Sequence, residues 1–254
     1  MLNAAKPRHR VGIVVALARE ARALAPEMAA AAGLRAGSIH SLSEAMLTVS
    51  GMGWECALAG TRRLTQAGAA ALASVGTAGA LDPGLESGAI VLPEEVAVIG
   101  GKALATHPRW RAALAASLPR AHLSAGRLLS TREPLGLRLD KAIARRETGC
   151  VAVDMESAAV AAVAAELGLP FIAVRVIVDT AAEDLPAAVL AASRAGQVSG
   201  VRLLAALARA PWEIAALMRL AGRFRTACRV LAGIGEPGLP ARRALTEFGG
   251  EAGR

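Results

Sequence analysis

The sequence predicts an α/β fold: a central mixed, largely parallel sheet flanked by helices. Two observations carry this. Short apolar, partly β-branched runs alternate with alanine-rich stretches of helical length, the pattern of strand–helix–strand units. And 54% of the 254 residues are hydrophobic, ample for one large core, while no repeat or linker splits the chain. Residues 1–232 therefore read as a single domain ending in an amphipathic helix over about 211–231, with 233–254, rich in Gly, Pro and Arg, as a flexible tail.

The elements follow in order. Val11 to Leu17 is a first strand, and Arg19 to Ala32 a helix. The basic residues Lys6, Arg8 and Arg10 ahead of Val11–Ala18 also imitate a short secretory leader. Met46 to Val49 is a strand, Ser50 to Gly53 a tight loop and Trp54 to Gln66 a helix. The uncharged stretch Leu64–Leu81 is long enough to raise a membrane span. Its Gln66, Ser74, Thr77 and three glycines instead fit a helix end and a buried strand, Ala69 to Val75, followed by a glycine turn, Gly76 to Gly79. Ala89 to Leu92 is a strand, and Pro108 to Ser117 and Pro134 to Arg146 are helices opened by proline. Cys150 to Val153 is a strand, and Met155 to Leu167 a helix stopped by Gly168 and Pro170. Phe171 to Val178 is the clearest strand, and helices over 186–209 and 211–231 complete the chain.

Composition excludes several functions. Aromatics make up 2% with no tyrosine, so a base-stacking platform for single-stranded nucleic acid is not available. The net charge of +8 is scattered except near the C-terminus, which argues against nucleic acid as a partner. Three distant cysteines and four histidines without ligand spacing predict no metal, no disulfide framework and a reducing, cytoplasmic setting. The SGMG loop lacks the third glycine of a dinucleotide fingerprint, Cys56 standing in its place, so no nicotinamide cofactor is expected.

In open α/β sheets, ligands bind beyond the carboxyl ends of the strands. That rule selects Arg19-Glu20, Ser50–Gly53, Gly76–Gly79, Ser130–Arg132, Asp154–Glu156 and Asp179. Asp179 ends the most apolar strand, where desolvation should raise its pKa and make it a general acid; a helix N-cap is the plain alternative. Glu156 opens a helix, where it either complements the dipole or accepts hydrogen bonds from a sugar diol. Glu20 is either a solvated helix residue or a general base. The glycine turn can point N–H groups at an anion or sugar, with the Thr77 hydroxyl as a further donor.

Taken together, VGIVVALAREARAL, SGMG, SVGTAGAL, SGAIVLPEEV, AVDMESAAVA and LPFIAVRVIVD run in order over roughly the first 185 residues. In this they resemble the purine nucleoside and uridine phosphorylase superfamily, and most closely its adenosine-type nucleosidases. The resemblance implies that superfamily's three-layer fold. It also implies that Glu20 activates water and that Thr77 contacts the ribose or phosphate region, with Met52, Gly53, Ala78 and Gly79 as further substrate-binding residues. It places Met155 and Glu156 on the ribose, with Asp154 in support, and gives Asp179 the protonation of N7 of the departing purine. A homo-oligomer is implied as well. No cofactor is, although phosphate could serve as co-substrate. The segment before the glycine turn, LAS, lacks the arginine of phosphorolytic members and leans toward hydrolysis, while Arg19 and Arg22 keep phosphate open. STREP replaces a segment that carries a base-stacking phenylalanine in the nucleosidases, leaving Arg132 as a candidate substrate contact.

The C-terminal helix carries Ile214, Leu217, Leu220, Ala221, Phe224, Cys228 and Leu231 on one face, with Arg219, Arg223, Arg225 and Arg229 off it. Such a helix packs on the core or a partner, or lies on a membrane. With VDMES and LPAA, this extension resembles the hopanoid-associated phosphorylases. That resemblance implies removal of adenine from adenosylhopane, a lipid-linked nucleoside. Methylthioadenosine or adenosylhomocysteine cleavage is the alternative within the class, and a non-catalytic nucleoside-binding or anion-binding module the alternative outside it.

Overall fold

A computed structural model describes residues 10–28, 37–42, 45–192, 210–238 and 240–246. Its sheet runs β2 (Ile39–Ser41), β3 (Ala45–Val49), β1 (Arg10–Val15), β4 (Ala69–Ala80), β10 (Ala152–Asp154), β9 (Arg127–Ser130), β6 (Glu95–Ala97), β7 (Leu104–Ala105). β11 (Phe171–Ile177) pairs with β4 and with β5 (Ile90–Val91), and β5 pairs with β8 (Leu123–Ser124). The β1–β3, β1–β4, β4–β11, β9–β10, β6–β9 and β5–β8 pairings are parallel; β2–β3, β4–β10, β5–β11 and β6–β7 are antiparallel. The mixed, largely parallel sheet expected from the sequence is present.

β4 is the axis of the fold. Its first two-thirds lie between β1 and β11, both parallel to it, and its end leaves them to pair with β10 through Gly79 and Ala80. The sequence predicts a strand only to Val75, then a turn over Gly76–Gly79; the structure continues the strand through both glycines. Neither glycine has positive φ. Glycine here provides space, as the site shows below, and not a turn.

Side-chain alternation makes the three layers. Ile13, Val75, Val174 and their alternate neighbours pack on α1 (Ala18–Leu24), α3 (Pro108–Ala116), α7 (Ile214–Gly235) and α8 (Pro240–Thr246). Val14, Leu72, Ala173 and Ile177 face α2 (Trp54–Gln66) and α5 (Ser157–Leu167). Eight of the eleven residues of α5 are Ala or Val, and the small side chains let the helix sit close on the sheet. Gly168 in the left-handed conformation ends it, as the sequence predicts. α4 (Arg138–Thr148) starts four residues after Pro134, which therefore precedes the helix instead of opening it. α6 (Ala187–Ala192) falls in the first predicted C-terminal helix, whose remainder, 193–209, lies outside the described residues.

The C-terminal region departs from expectation. α7 extends to Gly235, and α8 buries Ala241, Arg242 and Leu245, with Arg242 paired to Glu27. Part of the predicted tail is thus packed structure, in the end of α7 and in α8; 239 and 247–254 lie outside the described residues. The amphipathic stripe of α7 packs inward only along part of its length: Leu231 lies fully against the sheet, while Ile214 and Ala221 are exposed. Among the described residues no helix is long and apolar enough to cross a membrane. Leu231→Ala should cost about 2–5 kcal/mol in urea denaturation, the range for emptying a fully buried leucine site. A loss below about 0.5 kcal/mol would show that α7 is not part of the cooperative fold.

Candidate active site

A cavity of about 560 Å³ opens at the carboxyl ends of the strands. The polar lining comes from strand ends: Glu20 just beyond β1, Thr77 in β4, Asp154 and Glu156 at β10, Asp179 after β11. The apolar lining comes from Leu185, Val189 on α6, and Leu217, Leu220 and Phe224 on α7. Three carboxylates separated by 136 and 23 residues in sequence, Glu20, Glu156 and Asp179, thus share one cavity.

Glu20 lies in the first turn of α1 and is 2% exposed. Its carboxylate accepts hydrogen bonds from the Leu17 N–H (3.0 Å), the Thr77 N–H (2.9 Å) and the Thr77 hydroxyl (2.6 Å). The anion that the glycine segment cradles is therefore a side chain of the protein itself. A Cβ on Gly76 would lie 3.3 Å from both Glu20 oxygens, so glycine gives the carboxylate room to approach β4. Burial pushes the Glu20 pKa up against the lowering effect of the Thr77 hydroxyl. A carboxylate so poised is suited to take a proton from a nucleophile.

Glu156 is the residue before α5, and its side chain does not cap the helix. It reaches across to accept from the Gly53 N–H at 2.7 Å, tying the SGMG loop to β10. Burial, then the neighbouring Asp154 charge, raises its pKa to about 7, while Arg175 opposes the shift. Asp154 in turn is held by Arg175. Its Oδ2 accepts from the Arg175 guanidinium at 2.7–2.8 Å and from the Ser157 N–H at 3.0 Å. Its Oδ1 is buried without a partner among the described residues. The Asp154 side chain has no exposed surface, so its place is behind the cavity wall, where its charge acts on Glu156.

Asp179 was expected to stand against an apolar strand end. Instead its Oδ2 accepts from the ammonium of Lys141 at 2.5 Å, and Lys141 is wholly buried. On the other side a Cβ at Gly79 would come within 2.9 Å of Oδ2. Asp179 is therefore fixed between a glycine and a lysine.

Met52, Ala78 and Met155 line the cavity with Gly79, and Gly53 contributes through its N–H to Glu156. Arg132 does not join them. Its guanidinium pairs with Glu55 at 3.0 Å and stacks over Trp54 at 4.9 Å, on the surface. The aromatic-plus-acid partner on α2 holds it there. Arg19 lines the cavity and is exposed; Arg22 does not line it. The residues that sequence reasoning missed are Arg175, Lys141 and the apolar wall from α6 and α7. Arg175 had a signal, being the one charge within the apolar run FIAVRVIV. Lys141 had none, since LRLDKAIARRE reads as an ordinary solvated helix.

The family model of the phosphorylase superfamily matches residues 10–209. The chain belongs to the phosphorylase superfamily. It is accordingly an enzyme of the nucleoside phosphorylase and nucleosidase kind, and no curated protein matches its sequence. Solved superfamily structures share its fold. A mutant of the Helicobacter pylori nucleosidase MTAN with 5'-methylthioadenosine in its active site is 16% identical, with TM-score 0.65 over 89% of this chain and 95% of that one. Native futalosine hydrolase of the same organism is 17% identical, with TM-score 0.64 over 88% and 94%. The Streptococcus pyogenes S-adenosylhomocysteine nucleosidase is 20% identical, with TM-score 0.59 over 89% and 98%.

The raised pKa of Glu156 makes a stability prediction. The folded state holds this proton more tightly than the unfolded chain, so the stability associated with Glu156 falls as pH rises from about 4.5 to 7. Glu156→Gln removes that penalty. The variant should be more stable than the parent at pH 8, by on the order of 3 kcal/mol or less, and no more stable at pH 4. Denaturant midpoints at the two pH values measure the difference.

Proposed function

We propose that the protein hydrolyses the N-glycosidic bond of an adenine nucleoside, releasing adenine. The observation that supports it best is the convergence of Glu20, Glu156 and Asp179 on one cavity. Glu20 takes the proton of the attacking water. Glu156 accepts hydrogen bonds from the ribose hydroxyls, with Asp154, held by Arg175, in support behind it. Asp179 donates a proton to the base as the C1'–N9 bond breaks and its electron pair passes to the purine. Positive charge then builds on the sugar, and the surrounding carboxylates stabilise it.

Water is favoured over phosphate because the cations near these groups are already engaged. Arg175 is spent on Asp154 and Ser74, and Lys141 on Asp179 and two carbonyls. Among the described residues only exposed Arg19 remains as an uncommitted cavity-lining cation, and a phosphate beside Glu20 would meet a like charge. Adenine release in phosphate-free buffer should equal release with phosphate added, and chromatographic detection of the base checks this. Release that requires phosphate would replace hydrolysis by phosphorolysis.

The apolar wall supports a substrate with a large apolar group on the sugar. Leu185, Val189, Leu217, Leu220 and Phe224 give that group a surface that a free nucleoside would leave wet. Adenosylhopane, which the sequence resemblance implies, has this chemistry. Trp212, Ile214 and Met218 are exposed at the start of α7, with Arg219 and Arg225 exposed farther along, a composition suited to touching an anionic bilayer that presents such a lipid. A homo-oligomer belongs to the same reading. The small nucleosides named for the solved relatives favour methylthioadenosine or adenosylhomocysteine as the second substrate reading. Asp179→Asn should lower turnover by about 10²–10⁴-fold with KM little changed, as expected for loss of a general acid. Single-turnover assays check it, and full activity in that variant would remove Asp179 from the mechanism.

A further inference from the structure

The group behind Asp179 is more than an anchor. Lys141 lies on the buried side of α4 and is 0% exposed. Its ammonium spends all three hydrogens within 3 Å: on Asp179 Oδ2 at 2.5 Å, on the Thr180 carbonyl at 2.9 Å and on the Glu183 carbonyl at 2.9 Å. The two carbonyls fix the lysine, and the lysine fixes one oxygen of the aspartate. The other oxygen, Oδ1, accepts no hydrogen bond among the described residues, and the side chain lines the cavity with 12% of its surface exposed. A neutral donor could have oriented Asp179 equally well. A buried ammonium is costly to desolvate, and its presence there asks for a charge-based use.

We propose that Lys141 is a positioning residue for the leaving base. It holds Asp179 with one oxygen toward the purine, and its fixed charge stabilises the negative charge that arrives on the Asp179–purine unit as the glycosidic bond breaks. This role rests on the hydrolase reading above. As C1'–N9 breaks, its electron pair moves onto the purine, and the Asp179 proton moves to the base. Water adds at C1' and gives a proton to Glu20. Wherever the shared proton lies between Asp179 and the base, that unit has become more negative by one charge. Lys141 stands 2.5 Å behind it, in surroundings where solvent screens little. Lys141 itself touches neither substrate nor water and acts only through Asp179.

Such a role depends on how basic the leaving group is, and a structural role does not. The test uses the full-length enzyme and a series of 6-substituted purine nucleosides, from adenine to the more acidic 6-chloropurine. Lys141→Gln keeps two N–H donors, enough for the two carbonyls, and removes the charge together with the donor to Asp179; Lys141→Met removes the charge and all three donors. In both variants kcat for the adenine nucleoside should fall about 100-fold, with KM within about threefold. The loss should shrink to under about fivefold for 6-chloropurine, whose anion needs little help to leave. In an Asp179→Asn background the same substitutions should have no further effect on kcat, because the route through Asp179 is already gone. Should Lys141→Met fail to fold, Lys141→Gln still decides the matter. An equal loss across the series, full activity in Lys141→Gln, or a further multiplicative loss in the Asp179→Asn background would overturn the role. If the parent enzyme releases no base from any member of the series, the hydrolase reading fails, and this role falls with it.

Discussion

The structure turns on the burial of carboxylates against the central strand. Glu20 and Asp179 are pressed onto β4 at Gly76 and Gly79, where any Cβ would meet a carboxylate oxygen at 3.3 Å or 2.9 Å. An unpaired buried charge is costly, so each must be met by donors the fold supplies. For Glu20 they are the Leu17 N–H and the N–H and hydroxyl of Thr77, which lies between those glycines. For Asp179 the donor is Lys141, and for Asp154 it is Arg175. The alanine-rich composition serves the same end. Small side chains on α5 and β4 bring backbones close, and close backbones leave only short, definite positions for the few charged groups between them.

How much of this the sequence announces varies with the kind of force involved. Strand periodicity is local, so β1, β3, β11 and the boundaries of α5 are legible from the residues alone. The carboxyl-end rule then selects Glu20, Asp154, Glu156 and Asp179 without any contact information, and all four line the cavity. The reading of GTAG as a turn fails because glycine has two uses, freedom of φ and absence of a Cβ. Only tertiary contacts, here with Glu20 and Asp179, show which one is at work. Arg132 fails for a related reason. Its position after β9 is right, but Trp54 and Glu55, brought in by α2, offer it a surface partner.

The C-terminal extension shows a different limit. Hydrophobic periodicity says that one face of α7 is buried and does not say in what. The structure divides that face: Ala227, Leu231 and Ile234 enter the core, while Leu217, Leu220 and Phe224 line the cavity. One helix is therefore both a support of the fold and a wall of the site. A change in its packing reaches the cavity directly. The loop after β11 joins it to the charge cluster, since Glu183 pairs with Arg223 of α7 through its carboxylate and accepts from Lys141 through its carbonyl.

The balance of charge in the cluster carries the chemical argument furthest. Glu20, Asp154, Glu156 and Asp179 are four buried acids, and the buried cations that pair with them are Arg175 and Lys141. Both cations are committed, one to Asp154 and one to Asp179. Glu20 and Glu156 are left with dipolar donors only, and burial raises the pKa of each. An arrangement in which two acids resist ionisation is poor at stabilising the empty site. It is well matched to a bound group that becomes positive during reaction, because each carboxylate then gains the counter-charge it lacks at rest. A sugar developing oxocarbenium character supplies such a charge only as its bond to the base breaks. On the proposed reading, the electrostatics of the cavity favour the transition state of glycosidic cleavage over its ground state, which is what a catalyst of that reaction requires.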